Sequence, residues 1–204
     1  MLHIKYEGRF GNNLFQYCRG LCFCMQSKHG INNPINTKIV KAENPKNNHN
    51  ENIWQEGYYQ DKQTIDSFKN NKDYLFNNHP EIDGSFIHVR LGDIENLNWS
   101  CSVEYYEQAI ESTTFTEGYI SSDSPSSELV GYLMKNYNLK LYKDTAEQTI
   151  IFGSRFKNKI LSLGTFSWWI GFLGSQENVI FPNPLSHKKW HGPIFQEMNW
   201  NSLG

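Results

Sequence analysis

The 204-residue chain predicts an α/β fold with a parallel sheet in its C-terminal half. Two observations carry that expectation. From Ser85 onward, short strand-like apolar runs alternate with segments of helical periodicity, the pattern of successive βαβ units. The stretches richest in polar chemistry also fall where a strand segment gives way to a loop, which is where such a sheet binds ligands.

The elements follow in order. His3 to Tyr6 reads as a short strand, Gly8-Arg9-Phe10-Gly11 as a glycine turn, and the apolar spacing from Asn12 or Asn13 to about Ser27 as a helix ending at Gly30. Residues 31 to 52 are rich in Asn, Lys and Pro and lack apolar periodicity, so they predict a solvated connection. Gln60 to Phe76 carries a helical pattern, stopped by Asn77-Asn78-His79-Pro80. The alternation then runs as strand Ser85–Val89, helix Val103–Ser112, strand Glu117–Ser121, helix Ser126–Tyr137 and strand Lys140–Tyr142. Helix Ala146–Ser154, strand Lys159–Ser162, helix Phe166–Leu173 and strand Val179–Phe181 complete it. The expected division is a reduced N-terminal α/β lobe over residues 1–83 and a Rossmann-like domain over residues 84–204.

Composition narrows the function. The formal net charge is −2, so no polycationic field is available to hold a nucleic acid backbone, and an anionic ligand has to be met by a local site. The first residues lack the apolar run of a signal peptide and no stretch reaches the roughly 20 apolar residues of a membrane span, which predicts a soluble, cytoplasmic protein. Cys18, Cys22, Cys24 and Cys101 form no Cys-x-x-Cys pair and read as buried free thiols. The sequon Asn98-Trp99-Ser100 and the pair His187 and His191, the latter flanked by prolines, read as incidental.

Three stretches carry chemistry. In Phe86-Ile87-His88-Val89-Arg90-Leu91-Gly92-Asp93, alternation delivers His88 and Arg90 to one side of a strand end. There Arg90 can present a bidentate fork to a diphosphate or pair with Asp93 to brace the turn. In Gly118-Tyr119-Ile120-Ser121-Ser122-Asp123-Ser124, a carboxylate at the strand end can accept hydrogen bonds from a nucleoside or cap the next helix. In the run from Ile160 to Leu173, Thr165 and Ser167 stand at a helix start, where backbone N–H groups and the macrodipole favour an anion. Trp168 and Trp169 behind them read as packing.

Taken together, His88-x-Arg90-x-Gly92-Asp93, the Ser-Ser-Asp loop, the Leu-Ser-x-x-Thr-Phe-Ser-Trp-Trp segment and the N-terminal Gly8-Arg9-Phe10-Gly11-Asn12-Asn13-Leu14-Phe15-Gln16-Tyr17 resemble the motifs of alpha-1,2-fucosyltransferases of glycosyltransferase family 11. The resemblance implies a GT-B-like, inverting transferase that uses GDP-fucose as donor and a glycan hydroxyl as acceptor, without metal or cofactor. It implies that Arg90 holds the diphosphate, that His88 and Asp123 contact the nucleoside, and that Thr165, Phe166 and Ser167 bind the nucleotide. Arg9, Gly11 and Asn12 would serve the diphosphate and the acceptor hydroxyl from the N-terminal lobe. The chain departs from the family pattern at Leu91, where a second basic residue is usual, at Ser122-Asp123-Ser124, where two consecutive acids are common, and in its short first half. No residue is marked as catalytic base; Asp93 serves either as base or as turn brace. Two alternatives keep the pocket: a transferase for another nucleotide-diphosphate sugar, or a non-catalytic nucleotide- or glycan-binding relative whose Trp54, Trp99, Trp190 and Trp200 stack on sugars.

Overall fold

The computed structural model describes residues 1–95, 99–183 and 194–203. Asn98 of the sequon, His187, Trp190 and His191 lie outside the described residues. The described chain forms two compact units, one from residues 1–78 and 194–197, the other from residues 79–183 and 198–203.

In the first unit, strands β1 (Leu2–Ile4) and β2 (Ile53–Gln55) pair in parallel, with helices α1 (Phe10–Ser27), α2 (Lys62–Asn70) and α3 (Lys72–Leu75) beside them. Helix α1 begins at Phe10, earlier than the glycine pattern predicts, because Arg9 is extended and its carbonyl already accepts from Asn12 and Asn13. It ends before Gly30, capped by Lys28 in the left-handed region with φ 57°. The expected single helix over Gln60–Phe76 is α2 and α3 broken at Asn71, whose side chain donates to the Ser67 carbonyl.

Residues 31–52 are not simply a solvated connection. Ile31 and Ile39 are buried, and two asparagine amides stand in for strand partners. Asn33 accepts from the Ile4 N–H (3.1 Å) and donates to its carbonyl (2.7 Å), and Asn44 does the same for Ile31 (2.8 Å each way). Buried backbone groups need such partners, and a polar side chain can supply them where no ladder runs.

The second unit carries a mixed α/β, Rossmann-like fold. Its elements are β3 (Ile82–Val89), α4 (Gly92–Glu95), α5 (Val103–Glu111), β4 (Gly118–Ser122), α6 (Glu128–Tyr137), β5 (Lys140–Leu141), α7 (Ala146–Ser154), β6 (Phe156–Ile160), α8 (Thr165–Leu173), β7 (Asn178–Pro182) and β8 (Asn201–Leu203). The six strands are all parallel in the order β5-β4-β3-β6-β7-β8. Numbered from β3, this is 3-2-1-4-5-6, the doubly wound arrangement. Strand β6 starts three residues earlier than expected, and β2, α4 and β8 have too little apolar patterning to be read from sequence.

Ile87 and Val89 of β3, Ile120 of β4 and Ile160 of β6 pack with Tyr105, Tyr106, Ala109 and Ile110 of α5 and Val130 and Leu133 of α6. On the other face, Phe86, Tyr119, Tyr142, Phe152 and Phe156 form an aromatic cluster, Tyr142 and Phe152 stacked at 4.0 Å. Helices α7 and α8 end close together: a Cβ on Gly174 would overlap the Ser154 carbonyl oxygen, and the buried Lys159 donates its ammonium to the Ser175 carbonyl. Among the described residues, no helix is long and apolar enough to cross a membrane.

Two predictions follow from this packing. Gly174→Ala has to part α7 from the end of α8, and chemical denaturation should register a loss of about 1–3 kcal/mol. The four cysteines are buried and free, and burial pushes the Cys22, Cys24 and Cys101 thiols up to about 11 and Cys18 well above its ordinary value. Iodoacetamide at pH 8 should therefore leave all four unlabelled in the native protein and label all four in denaturant, as mass spectrometry reads directly.

Candidate functional site

Strand β3 lies between β4 and β6, pairing Val89 with Ser122 on one side and Ile87 with Ile160 on the other. Successive connections wind to opposite faces from here, which makes the carboxyl ends of β3 and β6 the switch point of the sheet. The three chemically marked stretches end there.

Alternation along β3 sends Ile87 and Val89 toward α5 and α6 and puts Phe86 and His88 on the opposite face. His88 is 5% exposed, and its Nδ1 lies 2.6 Å from Ser167 Oγ and 3.1 Å from Ser162 Oγ, while those two hydroxyls are 2.9 Å apart. Its ring stacks on Phe166, centroids 5.0 Å apart. Ser162 and Ser167 are fully buried, Thr165 is nearly so, and Phe166 is half-buried.

Arg90 follows the strand with its side chain 18% exposed, and its Nη2 donates to Asp93 at 3.3 Å. Its Nη1 side packs against Gly164, where a Cβ would collide with it. Gly164 has φ +124° and ψ 154°, a conformation open in practice only to glycine, and it is the N-cap of α8. Helices α2, α5, α6 and α7 are capped by the side chains of Asp61, Ser102, Ser127 and Thr145, whereas the N-cap residue of α8, like Arg9 of α1, makes no side-chain cap. The guanidinium thus stands beside the positive end of a helix dipole whose N-cap is a glycine.

The β4 loop braces this corner. Asp123 Oδ1 accepts from the Leu91 N–H at 2.8 Å, Ser124 Oγ from the Gly92 N–H at 3.3 Å, and a Cβ on Gly92 would stand 2.5 Å from Asp123 Oδ2. Asp123 therefore fixes the turn after Arg90, though the residue itself is exposed.

Two tyrosines of α5 complete the support and escaped the sequence reading. Tyr105 donates to the Leu161 carbonyl at 2.6 Å, and Tyr106 to the His88 carbonyl at 3.5 Å. Burial holds both phenols well above the ordinary tyrosine range, so they remain donors at neutral pH. Helical periodicity assigns such a pair to the core; the clue in sequence was that a buried phenol must reach a partner.

The structure thus gathers His88, Arg90, Asp123, Thr165, Phe166 and Ser167 within the second unit. Arg9, Gly11 and Asn12 belong to the first unit. There Arg9 is exposed at the N-cap of α1, Gly11 is buried, and Asn12 Oδ1 accepts from Gln60 Nε2 at 3.2 Å. Buried Gln16 organises that loop, accepting from the Glu7 N–H and donating to the Gly57 carbonyl, each at 3.0 Å. Among the described residues, no group of three or more His, Cys, Asp or Glu side chains is placed to hold a metal ion.

No family model matches the chain, and neither a curated protein nor a solved structure matches it.

Asp123→Ala should remove the acceptor of the Leu91 N–H and lower unfolding stability by about 1.5 kcal/mol. Asp123→Asn, which keeps an amide oxygen, should lose less in the same denaturant titration.

Proposed function

We propose that the chain is an inverting, metal-independent glycosyltransferase that moves fucose from GDP-fucose to a glycan hydroxyl, as the resemblance to alpha-1,2-fucosyltransferases implies. The observation that supports this reading most is the meeting of Arg90 with the glycine N-cap of α8 at the switch point of a parallel sheet. A cation and a helix N-terminus side by side repel each other and share one natural guest, an anion with oxygens for both. A nucleoside diphosphate is such a guest.

The chemistry follows from charge. Cleavage of the fucosyl–phosphate bond builds negative charge on the departing GDP and positive charge on the sugar ring. An Arg90 already in place stabilises that transition state more than the ground state, with no reorganisation at the moment of reaction. The α8 amides supply fixed dipoles to the same oxygens, and Asp93 shares the guanidinium until the diphosphate competes for it. The acceptor hydroxyl attacks the anomeric carbon as the phosphate oxygen leaves with the bonding electron pair, inverting the centre, and the hydroxyl proton passes to solvent water.

GDP at 100 times its dissociation constant should stabilise the protein by about 2.7 kcal/mol, visible as a rise in Tm. UDP and ADP should give less, and a chelator should not matter. Arg90→Ala should abolish the protection and lower fucosyl transfer by roughly a hundredfold to a thousandfold. Equal protection by UDP or ADP would point to another nucleotide sugar, GDP-fucose protection without turnover would point to a non-catalytic binder, and no protection by any nucleotide would overturn the donor site.

A further inference from the structure

We infer that His88 acts as a positioning residue, fixing the first turn of α8 through Ser162 and Ser167 instead of touching the nucleoside. This rests on the proposed donor site, because the turn it fixes is the one that would receive the diphosphate.

Gly164 is the N-cap of α8, so Ser167 occupies the third position of the helix, and the Trp168 N–H closes the first turn on the Gly164 carbonyl at 3.0 Å. A side chain at the N-cap commonly fixes a helix start, and the glycine at that position of α8 supplies none. This turn receives a contact from 79 residues away in the chain, His88 Nδ1 to Ser167 Oγ at 2.6 Å. Ser162, at the exit of β6, closes the set, 3.1 Å from Nδ1 and 2.9 Å from Ser167 Oγ. The imidazole therefore joins β3, the β6 loop and α8 at one atom.

Either neutral tautomer can make this contact. With its proton on Nε2, the ring accepts from the Ser167 hydroxyl at Nδ1; with its proton on Nδ1, the ring donates to it. The position of Nδ1 matters in both cases. His88 is 5% exposed and both serines are fully buried, so these contacts are made away from water. The stack of the imidazole on Phe166 fixes the second residue of the same turn. A turn displaced by about 1 Å would no longer aim its amides and Arg90 at the same oxygens, a misplacement that can cost about a hundredfold in rate.

Two isosteric replacements separate this role from direct contact. The amide of Asn reaches about as far from the backbone as Nδ1, and that of Gln about as far as Nε2. Isothermal titration of GDP should show His88→Ala and His88→Gln binding roughly tenfold more weakly than wild type, with His88→Asn restored to within about threefold. Ser167→Ala should weaken GDP by a similar factor, and adding it to His88→Ala should cost little more, because both remove the same link. Rescue by Gln and not by Asn, or full additivity of the two alanine changes, would overturn the inference.

A second measurement does not need the nucleotide. Hydrogen exchange at the Trp168 amide of the ligand-free protein should quicken in His88→Ala, His88→Gln and Ser167→Ala, and stay near wild type in His88→Asn, while amides of β3 and β6 hold their rates. If wild type binds no nucleotide, the donor reading fails and this exchange pattern still decides whether His88 holds the turn. Unchanged exchange at Trp168 in all variants would show that it does not.

Discussion

The pairing of β3 with β6 is the constraint on which the candidate site depends. Two strands about 70 residues apart in the chain run side by side, Phe86 opposite Lys159 and Ile87 opposite Ile160, and the register brings their carboxyl ends level. Because the sheet is wound outward in both directions from this pair, the residues that follow the two strands lie at its switch point, where sheets of this kind take ligands. Arg90 leaves one strand and Gly164 follows the other, and they meet. Disturbing the register by one residue would turn His88 and Arg90 to the opposite face.

That meeting places two positive ends together. The guanidinium is mostly buried against Gly164, next to the N-terminus of α8, where the peptide dipoles sum to about half an elementary charge. Asp93 offsets part of this from an exposed position. The surrounding polar groups are tied off by hydrogen bonds: the buried Tyr105 and Tyr106 to backbone carbonyls, the exposed Asp123 to the Leu91 amide, and His88 with its two serines. Polar groups cost stability when buried without partners, and such a closed network is rigid. Rigid placement of charge is what stabilising a developing anion requires.

Much of the second unit was legible in the sequence because a parallel sheet buried on both faces leaves a strong signal. Helix α7 begins and ends where its residues suggest, and the five strands read from sequence differ only at their ends. The side of β3 on which His88 lies follows from simple alternation. What escaped has physical reasons. Strands β2 and β8 are three residues each, too short for periodicity. The Asn-rich stretch is ordered by amide side chains imitating backbone, which composition reads as solvent exposure. At the site, residues 86–93, 118–124 and 160–173 stand out, but the sequence could not say that Asp123 is committed to Leu91 or that Ser162 lies beside His88. Those links join residues 32 and 74 positions apart.

The most direct test of the central claim, that a diphosphate sits between Arg90 and the start of α8, is an amide NMR titration of the full chain with GDP. The account predicts saturable shifts concentrated at Leu91–Asp93 and Gly164–Trp168, absent in Arg90→Ala. Shifts centred elsewhere in the chain, or none at millimolar GDP, would contradict it.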